Sequence, residues 1–300
     1  MTPIKKPSRR EFVRIGFRGT AALAAARSFR AALAPVTPAF AGPLATAPKA
    51  HSSVIGGLHV GCMTWSFRDL PLADALTNIA NIGFSSAELW NGHLDPFKTV
   101  DAELAAWKER FTSAGVTIAS YFVDVPSTAS DEQITRCFVA GRKLGVAALS
   151  GNFNTTLLPR LDAACQEYKI AVGLHNEVYN PPDAHEVGSA AGYVEAFRKT
   201  SPWIGATLDV GHLYSDGDDP VQFIRDHLSR IVSVHLKDEG RDAKTTDYPF
   251  GKGPTPLVPI LNALRTAQFK HGVNVEWGVK DVDPVQGVAD ALAFVRRAVA

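Results

Sequence analysis

Eight short apolar runs punctuate this chain: Leu58–Met63, Ser86–Leu89, Val116–Phe122, Ala147–Leu149, Ala171–His175, Ala206–Asp209, Ile231–His235 and Val273–Glu276. Longer segments with helical spacing separate them. Leu104, Trp107, Lys108 and Phe111 recur at the interval of one helix face, as do Val221, Ile224, Arg225 and Leu228. Strands that alternate with helices imply βα repetition, because parallel neighbours need a crossover between them. The punctuation agrees. Gly83, Gly115 and Gly145 each stand where a helix would end just before a strand, and Pro220 follows Asp218-Asp219 like a first-turn proline. Eight units close naturally into a barrel. The competing open doubly wound sheet expects a glycine-rich phosphate turn after its first strand, whereas this chain runs on into Thr64-Trp65-Ser66-Phe67. The expected class is therefore α/β: a single (β/α)8 TIM barrel with eight parallel strands, over residues 57–300.

The first 41 residues differ from the rest. They carry eight Lys/Arg against one acid, Glu11, so the remainder is left at about −6 although the whole chain has a formal charge of +1. Ser8-Arg9-Arg10-Glu11-Phe12-Val13 resembles a twin-arginine export signal. An Ala-rich stretch follows it, then Ala39-Phe40-Ala41, a small-x-small cleavage pattern. The expectation is a leader over 1–41, a linker over 42–56, and a mature domain acting in the periplasm or outside the cell, with no membrane attachment after cleavage. The most apolar leader stretch, Ala21 to Ala34, is interrupted by Arg27 and Arg30 and is too short and charged to span a bilayer. An acidic body is a poor match to a phosphate backbone, which argues against nucleic acid as partner. The three cysteines, Cys62, Cys137 and Cys165, are odd in number and form no CxxC. They read as small buried hydrophobes, with a Cys137–Cys165 bridge as the alternative.

In such barrels the chemistry sits where strands end. The last four strands end at His175, Asp209, His235 and Glu276, each about one βα unit from the next. A lone Asp or His there is often only a cap. Four in succession at the same place converge on one point. Two imidazoles and two carboxylates form a mixed nitrogen and oxygen set for one divalent metal ion, suited to Mn, Zn, Co or Fe, with Mg also open, better than to Ca.

The motifs then become specific. Leu208-Asp209-Val210-Gly211-His212, Val234-His235-Leu236-Lys237-Asp238, Phe250-Gly251-Lys252-Gly253 and Val275-Glu276-Trp277 resemble strands six to eight of xylose-isomerase-like sugar isomerases and epimerases. Ala87-Glu88-Leu89-Trp90 is similar to their second strand, and Leu174-His175-Asn176-Glu177 falls at the fifth. The resemblance implies a metal-dependent isomerase or epimerase working on a sugar or keto-sugar through an enediolate, and homo-oligomers occur in the family. Glu276 is the first candidate base, Glu177 the second, and Lys237 the candidate for neutralising a developing oxyanion, or else for pairing with Asp238 or Glu88. His212, Glu88, Trp65, Trp90, His93 and Trp277 are the candidate substrate contacts. Phe122 and Phe153 could also stack on a sugar, and Lys252 could close on an anionic group. The fifth strand departs from the family pattern. Where the keto-sugar epimerases place a metal-bound glutamate, this chain has His175. That departure and the leader together raise a lyase alternative, β-elimination from a 3-keto-glycoside. A barrel that binds sugar without catalysis is the further alternative. An apurinic endonuclease of the same superfamily is disfavoured by the acidic body and the single ligand set.

Overall fold

The computed structural model describes residues 52–177, 187–240 and 247–299. The leader and most of the expected linker lie outside them. The described residues belong to one compact unit, Thr46–Ala300. Their strands are β1 (Val54–Ile55), β2 (Leu58–Met63), β3 (Ser86–Trp90), β4 (Thr117–Phe122), β5 (Ala148–Gly151), β6 (Ala171–His175), β7 (Ile204–Asp209), β8 (Ile231–Leu236) and β9 (Gly272–Val275). Strands β2 to β9 are parallel and pair in sequence order, and β9 pairs back onto β2, so the sheet closes on itself with eight strands. The helices are α1 (Leu72–Ile82), α2 (Asp101–Ser113), α3 (Asp131–Leu144), α4 (Leu158–Tyr168), α5 (Ala190–Lys199), α6 (Val210–Ser215), α7 (Pro220–His227), α8 (Leu257–Thr266) and α9 (Pro284–Ala298). The expected barrel is present. The one strand beyond the eight is β1, at the end of the stretch read as linker. It lies antiparallel on β2 through Val54–His59 and Ile55–Leu58, and two residues are too few to leave a periodic signal.

Local chemistry sets the element ends. Gly83 and Gly145 take the left-handed conformation that closes α1 and α3. Asp219 accepts from the backbone N–H groups of Val221 and Gln222 and caps α7, with Pro220 in its first turn. Ser130 and Gln133 form a reciprocal capping box on α3. All six residues of β7 are buried, as expected of a parallel strand covered on one side by helices and on the other by the barrel interior. Cys62, Cys137 and Cys165 are all free and buried, so no bridge joins Cys137 to Cys165. Burial pushes each thiol up to about 12, which leaves all three inert.

The interior below the strand ends is polar. Thr207 Oγ1 donates to Ser150 Oγ (2.9 Å), and Ser150 (2.8 Å) and Ser120 (2.5 Å) both donate to Glu88 Oε1. These hydroxyls are almost wholly buried. They give a carboxylate on the barrel axis the hydrogen bonds it needs to be held there.

Candidate metal centre

The strand ends bring His175, Asp209, His235 and Glu276 together. One ligand atom from each lies within 4.8 Å of the other three. Two ligands of one such ion stand at most about 4.4 Å apart, since metal–ligand distances are about 2.0–2.2 Å, so a shift of a few tenths of an ångström closes the set. His175 Nε2, Asp209 Oδ2, His235 Nδ1 and Glu276 Oε2 are all buried; the first two lack a hydrogen-bond partner, and the last two have only each other, at 2.7 Å. Orphaned buried polar atoms are rare and costly. Four buried atoms with so few partners, from β6, β7, β8 and the residue after β9, gathered within 4.8 Å, fit a cation that would satisfy them all.

The second polar atom of each ligand is already held. His175 Nδ1 donates to Asn152 Oδ1 (2.8 Å), which leaves Nε2 unprotonated toward the centre. His235 Nε2 donates to Glu88 Oε2, which turns Nδ1 toward the centre, where it meets Glu276 Oε2 at 2.7 Å. Asp209 Oδ1 accepts from the N–H groups of Gly211 (2.8 Å) and His212 (2.9 Å) as the cap of α6, leaving Oδ2 inward. One oxygen of the carboxylate thus caps the helix while the other is left for a cation. Glu276 Oε1 pairs with Lys237 Nζ at 2.8 Å. Lys237 stands 3.5 Å from Asp209 Oδ2. It meets neither Glu88, which serves His235, nor Asp238, whose carboxylate accepts from the N–H groups of Gly251, Gly253 and Thr255 and shapes the following loop.

The electrostatics follow from burial and close pairing. Burial works against the Lys237 ammonium, but Glu276 and Asp209 hold it well above its usual range. Burial would raise Glu276 and Asp209. The charge of Lys237 with His235 outweighs it at Glu276, as the adjoining His212 and Lys237 do at Asp209, and both stay ionised far into acid. Burial disfavours a charged His235, yet Glu88 and Glu276 push it up to about 10.

The other candidates divide. Glu88 is fully buried beneath the centre, a partner of His235 and not a substrate contact. His212 lines the centre. Its Nδ1 donates to the Asn176 carbonyl (3.1 Å), so Nε2 accepts from Lys237 (3.0 Å). Glu177 is half exposed at the rim, 3.5 Å from His212 Nδ1 and 3.9 Å from His175 Nδ1. The Trp65 ring stands 5.5 Å from Lys237 Nζ and carries the Arg68 guanidinium at 4.1 Å. Phe122 packs beside both histidines, 5.3 Å from His175 and 6.0 Å from His235 between ring centroids. Trp90 and His93 contact each other edge to face, and His93 Nε2 bonds the Leu70 carbonyl. Trp277 turns away. Next to inward-facing Glu276, its ring packs against Gly287 on α9, within the core. Phe153 is likewise buried in the core, and Lys252 lies exposed on its loop.

Several contributors were not legible beforehand. Asn152 and Asn176 had no role of their own in the sequence reading. Asn176 ties β6 to β7 by bonding both the N–H (2.9 Å) and the carbonyl (3.0 Å) of Asp209. Glu239, just past the Lys237-Asp238 pair, is buried with Oε2 unpartnered, 3.3 Å from His212 Nε2. Asp247 packs its carboxylate against Gly278 and interacts with Lys237. Their signal was only a carboxylate near a motif.

A family model described as xylose isomerase-like TIM barrel matches residues 76–298. A protein of Escherichia coli (strain K12), assigned as an L-ribulose-5-phosphate 3-epimerase, is 30% identical over 101 residues. That match covers 32% of this chain and 35% of the relative, so it spans about a third of that protein's length. Among solved structures, D-allulose 3-epimerase from Methylomonas sp. aligns over 80% of this chain and 98% of its own, at 15% identity and a TM-score of 0.65. A crystal structure of the IolI protein with a bound zinc atom aligns over 81% and 96%, at 14% identity and a TM-score of 0.64. At these identities the structures speak for the fold. With eight parallel strands closed in order and the family model matching most of the barrel, the chain belongs to the xylose isomerase-like TIM barrel family.

Proposed function

We propose that this barrel is a divalent-metal-dependent isomerase or epimerase that removes a proton next to the carbonyl of a sugar or keto-sugar. The convergence of four buried donor atoms from β6, β7, β8 and the end of β9 carries this reading. Two imidazole nitrogens and two carboxylate oxygens suit Mn, Fe, Co or Zn better than an oxygen-seeking cation such as Ca. A cation held there would polarise the substrate carbonyl and stabilise the enediolate.

The chain's own residues supply the rest. Glu276 faces the centre from beyond β9 and Glu177 from beyond β6, so a substrate between them meets a carboxylate on two sides. Glu276 takes the proton from carbon, and Lys237, 2.8 Å away, holds it in place and balances its charge. Glu177 serves the other side. Return of a proton to the opposite face gives an epimer, and return to the neighbouring carbon gives an isomer. His212 offers its ring to substrate hydroxyls, Trp65 offers an apolar face, and Phe122 shields the histidines from water. The location of His175 at the end of β6 supports a second reading, elimination from a 3-keto-glycoside, because proton removal at one carbon then suffices. The basic leader supports action outside the cytoplasm.

Metal analysis of the purified mature domain, beside a Glu276→Gln variant, tests the reading. The expected result is about one equivalent of Mn, Fe, Co or Zn in wild type and less in the variant, with solvent deuterium entering a ketose at the carbon next to its carbonyl. No metal under any loading condition would overturn it.

A further inference from the structure

Three carboxylates surround the centre without serving as its ligands. Glu239 is more than nine-tenths buried, with Oε2 unpartnered beside His212 Nε2. Its backbone is fixed by Thr255, which accepts from the Glu239 N–H (2.9 Å) and donates to its carbonyl (2.8 Å). Asp247 lies against Gly278, and Glu177 stands at the rim. The cations near them are already engaged among the described residues. Lys237 is held by Glu276 and Asp209. Arg68 lies on the Trp65 ring and donates to the Trp277 carbonyl (3.4 Å).

Resting on the reading of this centre as a sugar site, we infer that Glu239, Asp247 and Glu177 make it selective for neutral, polyhydroxylated sugars and turn away phosphorylated or carboxylated ones. A divalent cation and Lys237 bring three positive charges to the centre, and Asp209, Glu276, Glu177 and the Glu88 carboxylate behind His235 already match them, so no positive charge is left over for an anion, and Glu239 and Asp247 add none in either protonation state. Sugar hydroxyls donate to carboxylate oxygens, whereas a phosphate dianion has nothing to donate and meets like charge in a partly dry cleft. The side chains already register this field. Burial, reinforced by Asp209, pushes Glu239 up to about 8, and burial with Glu276 and Asp209 raises Asp247 despite Lys237. A bound anion would drive both further up, at a cost to its own affinity.

The test is calorimetric binding to the metal-loaded full chain, using free ketoses and aldoses, their phosphate esters (L-ribulose and L-ribulose 5-phosphate among them) and inorganic phosphate. Wild type should bind at least one free sugar about tenfold or more tightly than its ester. Glu239→Gln combined with Asp247→Asn should narrow that gap about tenfold or more, with metal stoichiometry and circular dichroism confirming the fold. Glu177→Gln, at an exposed position, should narrow it in the same direction and guards against misfolding of the pair. An ester bound as tightly as its parent sugar, a gap unmoved in both variants, or no free sugar bound at all would overturn the inference. Because the readout is binding, it stands apart from turnover. Preferential binding of a free sugar without proton exchange would refute the enzyme and keep the selectivity, and exchange on a phosphate ester would do the reverse.

Discussion

Glu88→Gln isolates the group beneath the candidate metal centre. The amide has nearly the shape of the carboxylate, so the packing around this fully buried side chain survives, and Ser120 and Ser150 keep a partner. What goes is the negative charge that receives the His235 Nε2 proton. With Gln in place, an amide N–H that faces His235 favours the proton on Nδ1, the atom aimed at the cation. An amide oxygen turned toward His235 instead forces the NH2 group onto two serine hydroxyls that now donate. Either arrangement loses one charge-assisted hydrogen bond, about 1.5–3 kcal/mol. Partners of metal-bound histidines typically contribute 10–100-fold in metal affinity, which is about 1.4–2.7 kcal/mol at 1.36 kcal/mol per decade. The two routes agree. Competition with a fluorescent chelator should therefore show metal affinity falling about 10–100-fold in Glu88→Gln, with thermal unfolding of the loaded protein still cooperative. A dissociation constant within about threefold of wild type would mean that Glu88 does not set the His235 tautomer.

Other outcomes follow from the same geometry. Metal binding near neutral pH should release close to one proton, because Glu88 and Glu276 hold His235 protonated up to about 10 and the cation must displace that proton; calorimetry in buffers of different ionisation enthalpy reads the number directly. Since His235 is raised in the folded state from its usual 6.5, its contribution to metal-free stability is complete below about pH 6.5 and is lost as pH rises toward 10. The melting temperature of the metal-free protein should fall across that window, and that of the loaded protein should fall less. Lys237→Met takes the ammonium away from the buried carboxylates of Glu276 and Asp209 and leaves His235 to balance them, which should cost about 3 kcal/mol in the metal-free protein, and urea unfolding with and without metal should show the cation restoring part of it. Gly287→Ala gains up to about 1 kcal/mol of helix propensity but drives a methyl group into the rigid Trp277 ring, a clash that costs about 1–3 kcal/mol; net loss of stability with unchanged metal affinity would confirm that Trp277 belongs to the core and not to the substrate site.

By itself the amino-acid order determined the barrel and the four residues of its candidate metal centre, because both rest on local, repeated signals. Buried parallel strands must be short and apolar, their crossovers must be amphipathic, and a residue that closes a strand is carried to one end of the barrel whichever strand it closes. His175, Asp209, His235 and Glu276 are legible for that reason. The two-residue strand at Val54–Ile55 is not, since it exists only through pairing with β2. Direction was decided by the tertiary structure. Trp277 adjoins Glu276 in sequence, yet just past the end of β9 the ring goes outward onto α9 and the carboxylate inward. Glu88 read as a substrate contact until the closed barrel put Ser120, Ser150 and His235 around it. Glu239 and Asp247 carry no periodic mark at all. They reach the centre through loops whose course is set by long-range contacts, such as the Asp238 carboxylate gathering the backbone of Gly251, Gly253 and Thr255, and side-chain contacts of that kind leave no pattern along a chain.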